Sequence, residues 1–384
     1  MNNELLLSLP LNMCESLPVC DPELAARCFA TYDPPDSQLG SGGGTAYLLE
    51  QAWVASRDGH RVFQGSEEGS LSSDLSTDLS TDLSTVALAE AEALAEAEAS
   101  AKEEACFSQW LEQTKLLVHS GGESRRLPAY AATGKSFLPI PALRWKYGQR
   151  LDQNLLDLQE PFLKKVAAAS DQPRVLVASG DVLLEGNVDS LPDADVVLLG
   201  MWTTPEDAEH FGVFFCDQKQ PEHLVKFIQK PAPEVTRELS RSHLFMVDVG
   251  VWLLSERAVN CLMKKCGWDA DAQKFAGGLP KTYDLYGEWA LHLGSDPEEV
   301  DADVSELSVA VVAVENGEFY HFGRSSDIID SSYRLQNIVM DQTQLGAVPS
   351  MGQPKQFVLN SIFDARRSED NNSLWIENSF VPDS

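Results

Sequence analysis

The stretch Leu116-Leu117-Val118-His119-Ser120-Gly121-Gly122, with the basic run from Arg125 to Arg150 just behind it, decides how this chain is read. An apolar run enters a Gly-Gly turn, and six Arg or Lys residues with no carboxylate then occupy 125–150 of a protein whose formal net charge is -30. In an α/β protein a strand that ends in glycines and opens into a basic loop receives polyphosphate. The glycines let backbone N–H groups approach the phosphates, and the cations neutralise them. Local positive charge inside an acidic chain therefore points to a nucleotide. The overall acidity argues against nucleic acid as a partner, because most of the surface repels a phosphate backbone.

Outward from that stretch the pattern alternates short apolar runs with helical ones. Strands are expected at 116–119, 174–178, 195–200, 211–216, 223–228, 244–253 and 307–314, and helices at 149–168, 255–266 and 284–293. Runs such as Arg174-Val175-Leu176-Val177-Ala178 and Asp195-Val196-Val197-Leu198-Leu199 are apolar without alternation. They fit a sheet buried on both faces, hence a mixed, mostly parallel α/β architecture. With 384 residues, 43% of them hydrophobic, the chain can bury a full core. No run is long and apolar enough to predict a membrane span. Met1-Asn2-Asn3-Glu4-Leu5-Leu6-Leu7 lacks the features of a secretory signal. Seven cysteines without close pairing predict reduced thiols and a cytoplasmic location, and Cys261 and Cys266 have no companions for a zinc site.

Residues 66–104 differ from the rest. Asp74-Leu75-Ser76-Thr77 recurs at 78–81 and 82–85, and an Ala/Glu run follows. This low-complexity insertion has helix propensity in its second half but too little apolar surface to offset ordering entropy. Near the other end, Gln356-Phe357-Val358-Leu359-Asn360-Ser361 and Leu374-Trp375-Ile376-Glu377-Asn378-Ser379 read as short strands that both finish in Asn-Ser. That is compatible with the first rungs of a parallel β-helix, and predicts that a longer protein continues beyond them.

Ala129 to Ser136 satisfies a P-loop pattern in letters only. Pro128 precedes it and Pro139 and Pro141 follow, so no helix can open at Lys135. The larger unit, Gly121-Gly122-Glu123-Ser124-Arg125-Arg126-Leu127-Pro128 with Lys135 and Leu138-Pro139-Ile140 downstream, resembles the signature loop of sugar-nucleotidyltransferases. In that chemistry a sugar-1-phosphate oxygen attacks the α-phosphorus of a nucleoside triphosphate in line and pyrophosphate leaves. The nucleophile is already an anion, so the protein mainly juxtaposes two polyanions and stabilises spreading charge. The resemblance assigns Arg126 to the leaving pyrophosphate and Lys135 to the α-phosphate. It places Gly121, Gly122 and Arg125 at the nucleotide, Arg125 standing where the superfamily has Thr. Asp181, in Ala178-Ser179-Gly180-Asp181-Val182, matches the family's magnesium-binding Asp, with Gly180 beside the nucleotide. Such a carboxylate suits a hard cation that bridges phosphate oxygens.

Phe227-Ile228-Gln229-Lys230-Pro231 resembles the family's E-K-P segment, whose Lys contacts the sugar phosphate. Val247-Asp248-Val249-Gly250-Val251-Trp252 resembles the strand whose Gly packs on the sugar, and Asp248 there either accepts from a sugar hydroxyl or caps a turn. In Phe319-Tyr320-His321-Phe322-Gly323, His321 stands where many relatives carry a second metal-binding Asp. Asp284 and Glu288 are the substitute candidates. A second glycine-rich loop, Leu39-Gly40-Ser41-Gly42-Gly43-Gly44-Thr45, fails the dinucleotide fingerprint but reads as an N–H-rich nest in which Gly42, Gly43, Gly44 and Thr45 are candidates for phosphate or base binding.

The two glycine-rich loops together resemble the N-terminal half of bifunctional fucokinase/L-fucose-1-phosphate guanylyltransferases. So do Arg144-Trp145, Gly148-Gln149-Arg150-Leu151, the Ser179-Gly180-Asp181 turn, the Gly250-to-Ser255 strand and Leu374-Trp375-Ile376-Glu377-Asn378-Ser379. The resemblance implies a Rossmann-like, GT-A-like nucleotidyltransferase domain over 1–345 carrying the 66–104 insertion, with 346–384 as linker and first strands of a β-helix. It implies GTP and L-fucose-1-phosphate as substrates, GDP-L-fucose and pyrophosphate as products, Mg2+ as cofactor, and fusion to a β-helix and a sugar kinase domain that this chain lacks, so that no fucose phosphorylation is expected. Another sugar-1-phosphate such as mannose-1-phosphate, another base, or a sugar-nucleotide-binding module without turnover are the alternative readings.

Overall fold

The computed structural model describes residues 4–34, 37–58, 106–121, 126–141, 153–346 and 349–383. The 66–104 insertion lies outside them, as do Gly122, Arg125 and the basic residues from Arg144 to Arg150.

Thirteen strands precede the tail in chain order: β1 Leu5–Ser8, β2 Cys28–Thr31, β3 Lys115–His119, β4 Val175–Ser179, β5 Val182–Asn187, β6 Val196–Met201, β7 Gly212–Asp217, β8 Leu224–Gln229, β9 His243–Leu254, β10 Trp268–Asp269, β11 Lys274–Phe275, β12 Val309–Ala313 and β13 Glu315–His321. Nine of them form the central sheet, in the order β12-β6-β9-β4-β3-β1-β2, with β7 paired to β9 and β8 to β7. Strands β2, β1, β3 and β4 run parallel, and β9 enters antiparallel between β4 and β6. The mixed, mostly parallel sheet expected from the apolar runs is present.

Residue parity explains why those runs carry no alternation. Leu6, Leu117, Val177 and Leu198 join one core cluster, while Leu5, Leu7, Val118, Leu176 and Val197 join another on the opposite face. The first face is covered by helices Gly40–Asp58 and Glu256–Lys265 through Leu49, Trp53, Val259 and Leu262. The second is covered by Leu11–Cys20, Pro22–Arg27 and Leu155–Ala168 through Leu17, Leu24, Phe162 and Val166. Burying a Leu or Phe of this kind contributes roughly 1.5–3 kcal/mol.

Three differences from the sequence reading have physical causes. Leu5 to Leu7 form a strand, β1, hydrogen-bonded on both sides within the sheet. Helix Leu155–Ala168 starts at a capping box, in which Asn154 Oδ1 accepts from Asp157 N at 3.1 Å and Asp157 Oδ2 accepts from Asn154 N at 3.0 Å. The helix expected over 284–293 is absent. Asp284 Oδ1 accepts from the N–H groups of Tyr286 (2.8 Å) and Gly287 (2.6 Å), which folds the chain into turns, and only the 3-10 segment Trp289–His292 follows.

In the tail, β14 Gln356–Leu359, β15 Ile362–Phe363, β16 Leu374–Glu377 and β17 Phe380–Val381 form two parallel pairs, β14 with β16 and β15 with β17. The pairs stack with the same offset, so Asn360 lies over Asn378 and donates to its Oδ1 at 2.7 Å. Both asparagines have positive φ, 48° and 50°, the left-handed corner that Asn tolerates.

Candidate active site

The site lies at the C-terminal ends of the parallel strands, where open α/β sheets bind ligands. After β3 the chain passes Gly121, and the segment 126–141 folds back across the ends of β3 and β4. Two glycines permit the approach. Gly134 has φ 82°, and a Cβ there would sit 2.7 Å from Ser120 Oγ; a Cβ on Gly180 would sit 2.4 Å from Ser136 Oγ. Ser136 N donates to Ser120 Oγ at 2.9 Å, and Ser136 Oγ donates to the Gly180 carbonyl at 3.2 Å. Lys135 enters a 3-10 turn, Lys135–Phe137, rather than an α-helix, as the flanking prolines dictate. From the opposite side the buried Gln159 amide donates to the Ser179 carbonyl at 2.7 Å and to that of Val182, which fixes the turn that carries Asp181.

The result is a close ion pair: Lys135 Nζ lies 2.6 Å from Asp181 Oδ2. Ser179 Oγ donates to Asp181 Oδ1 at 2.6 Å, and His321 Nε2 stands 3.7 Å from Oδ2. Burial alone would raise the Asp181 carboxyl, but the charges of Lys135 and His321 and the hydrogen bonds hold it below the usual carboxylate range. His321 is oriented from behind by Asp327, whose Oδ2 is 2.9 Å from Nδ1. A cavity of about 670 Å3 opens over this group and extends along β9. Arg126, Asp181, Lys230, Asp248 and Gly250 all line it, so the structure brings together five of the residues singled out in the sequence, with Lys135 beneath them on Asp181.

Asp248 is buried on β9 and its Oδ1 accepts from Gly250 N at 2.8 Å and Trp252 Nε1 at 3.0 Å. Burial pushes its carboxyl up to about 7, against the pull of those two donors. Beside it Tyr286 is held well above the ordinary tyrosine range by burial and by the nearby Asp248 and Asp181 charges. An aromatic wall of Trp202, Phe211 and Phe319 also lines the cavity, as do Arg324, 3.8 Å from Asp327, and Arg334, 3.0 Å from Glu318. Tyr286 and this aromatic wall were not visible in the sequence; the exposed Trp202 just after the β6 run was the available signal.

Several expectations need correction. Asp284 and Glu288 are not among the residues that line the cavity with Asp181: Asp284 holds its own turn, and Glu288 Oε2 accepts from Asp284 N at 2.7 Å. The glycine-rich segment is not an open nest. Helix Gly40–Asp58 begins inside it, Gly42 N and Gly43 N both donate to the Tyr283 carbonyl (2.9 and 3.0 Å), and buried Thr45 Oγ1 lies 2.8 Å from His119 Nε2. The N–H groups of Gly42 and Gly43 and the Thr45 hydroxyl are therefore committed within the protein, and Gly44 lies within the same helix. Gly180 N likewise donates to the His119 carbonyl at 2.8 Å, so Gly180 serves close packing rather than an N–H contact with a ligand. Gly122 and Arg125 lie outside the described residues, and among the described residues no three His, Cys, Asp or Glu side chains converge as a metal cluster.

The tail supports the loop. Tyr130, between Arg126 and Lys135, donates its phenol to Glu377 of β16, and Trp375 packs on the cluster of Leu127, Tyr130, Leu138 and Tyr320. Tyr130→Phe is expected to lower stability by about 1–2 kcal/mol, read as a lower urea midpoint at unchanged slope. An unchanged midpoint would mean that packing alone holds the tail.

A lysine–carboxylate pair thus lies at the parallel strand ends of a mixed α/β sheet, beside a cavity that Arg126 and Lys230 help to line. Residues 108–288 match the Fucose pyrophosphorylase domain. Across 98% of its length the chain is 38% identical to an L-fucokinase/L-fucose-1-P guanylyltransferase of Bacteroides fragilis, of whose length it spans only 35%. Among solved structures it is similar to the inositol-1-phosphate CTP transferase of T. maritima (11% identity, TM-score 0.33, 62% of this chain and 98% of that one). It is also similar to HddC from Yersinia pseudotuberculosis (13% identity, TM-score 0.26, 46% and 61%). No helix among the described residues is long and apolar enough to cross a membrane.

Proposed function

We propose that the chain transfers GMP from GTP to L-fucose-1-phosphate, with release of pyrophosphate. The observation that carries this is the Lys135–Asp181 pair beside a cavity lined by Arg126 and Lys230, in a protein that is otherwise strongly acidic. The match over 108–288 and the relative's printed activity support fucose-1-phosphate and a guanine nucleotide as the substrates of this reading.

In the reaction an oxygen of the sugar phosphate forms a bond to the α-phosphorus, the α–β bridging P–O bond breaks, and its electron pair leaves with pyrophosphate. The nucleophile is anionic, so no side chain is asked to remove a proton. Lys135 turns from Asp181 to the α-phosphate, where charge spreads over the equatorial oxygens. Arg126 lies at the rim to hold the departing pyrophosphate. Lys230, donating its backbone N–H to the Phe211 carbonyl at 2.9 Å, presents its side chain to the sugar phosphate, and Asp248 with Gly250 forms the floor under the pyranose.

The donor set fits Mg2+ as well. Asp181 offers one hard carboxylate, and such an ion takes most of its remaining ligands from substrate phosphates and water. Bound there, Mg2+ would offset the negative charge of the phosphates. The stacked parallel pairs β14/β16 and β15/β17 fit the first coil of a β-helix, and we assign the tail that role in the longer protein.

Pyrophosphate release with magnesium tests the reading. GTP, ATP and UTP are each paired with fucose-1-phosphate, mannose-1-phosphate and glucose-1-phosphate. Release with GTP and fucose-1-phosphate above all other pairs is expected. Release with a different pair would move the specificity, and silence with every pair would defeat the enzymatic reading.

A further inference from the structure

One residue at the strand ends has no task in the reaction just described. Asp33 follows β2, two strands from the phosphate-receiving β3, with β1 between them. Two strand spacings amount to about 10 Å, comparable to the reach of a ribose and base from an α-phosphate. The Asp33 carboxylate has no hydrogen-bond donor and no cation among the described residues. It is open to solvent on the side away from the protein. Gly44 leaves a gap in front of it: a Cβ placed there would be in ordinary contact with both His119 Cε1 (3.6 Å) and Asp33 Oδ1 (3.8 Å). So Gly44, which lacks a side chain at this point of the helix, opens onto a carboxylate that no protein donor meets, at the same end of the sheet as the loop carrying Arg126 and Lys135.

We propose that Asp33 reads the base and selects guanine, an inference that rests on the nucleotidyl transfer proposed above. Guanine presents N1–H and the exocyclic N2 amino group side by side, two donors that match the two oxygens of one carboxylate in a charge-assisted bidentate pair. Adenine and cytosine each set a ring acceptor next to their amino group, and uracil flanks its single N–H with carbonyls. All three therefore place a lone pair against a carboxylate oxygen. Gly44 keeps the approach clear, and any side chain there would narrow it.

The test measures equilibrium binding of GTP, inosine triphosphate and xanthosine triphosphate to the whole chain and to Asp33→Asn. Binding is chosen because it reads the base site even where the transfer reaction fails, so the two readings fall separately. Inosine lacks the N2 amino group, and the wild type is expected to bind its triphosphate about tenfold or more weakly than GTP. Xanthine carries a C2 carbonyl in place of that amino group. The asparagine amide can donate to it, so Asp33→Asn is expected to lose roughly ten- to a hundredfold in GTP affinity while binding xanthosine triphosphate more tightly than the wild type does. Equal wild-type affinity for GTP and inosine triphosphate would overturn the proposal without any variant having to fold. A variant that weakens on all three nucleotides alike, or that keeps the wild-type order of preference, would also overturn it.

Discussion

Lys135→Ala is expected to lower kcat by about 100- to 1,000-fold while weakening GTP binding only a few-fold. In the resting protein the ammonium is not free: it is spent on Asp181 at 2.6 Å. Ground-state nucleotide therefore gains little from Lys135, because binding must first separate that pair. The gain comes when charge builds on the α-phosphate oxygens, and a group that acts there lowers kcat and kcat/KM together. Alanine also strands the Asp181 carboxylate, whose depressed pKa depends on Lys135, so the single variant carries a stability loss of its own. The double variant Lys135→Ala/Asp181→Asn separates the two effects: it should regain the lost stability without regaining turnover. If single-turnover rates and GTP affinity fall in equal measure, Lys135 only binds, and the transition-state role is lost.

The second large effect is on stability against pH. Asp248 is buried, and its carboxyl titrates near 7 in the folded protein against about 3.9 in an unfolded chain. Between those two values the folded state keeps a proton that the unfolded state has released, so stability is full below about pH 4 and declines as pH rises toward 7. The decline amounts to something on the order of 4 kcal/mol. Asp248→Asn preserves an oxygen for Gly250 N and Trp252 Nε1 but cannot ionise. The variant is expected to match the wild type near pH 4.5 and to be several degrees more stable at pH 8. Melting curves that run parallel across that range would show that Asp248 stays ionised in the folded protein.

The sheet and much of the site were legible in the sequence for a common reason: both are encoded locally. Strands β4, β6 and β9 are continuous apolar runs, and Asp181 and Lys135 each sit in a short motif whose glycines and prolines set the backbone. What escaped is non-local or too short for a period. Strand β1 has four residues and looks like a terminus until β2 and β3 flank it. The apolar spacing over 284–293 mimics a helix, but the Asp284 side chain captures the N–H groups that would have begun it. The glycine-rich loop was read as an open nest because the sequence does not show the Tyr283 carbonyl that occupies two of its N–H groups. The Tyr130–Glu377 bond joins residues 247 apart, and the His321–Asp327 pair needs the fold to turn an imidazole toward Asp181.

That long-range bond has a directional consequence. Strands β16 and β17 pair on one side only among the described residues, so each offers a row of unpaired backbone groups on the other. Such a row is a template: a further parallel strand can dock there, and strain in the newcomer passes to β16. Because Glu377 of β16 accepts from Tyr130, a strand docked on that edge would be joined through β16 to the segment between Arg126 and Lys135. The ladder thus ties the tail strands to the loop that carries Arg126 and Lys135.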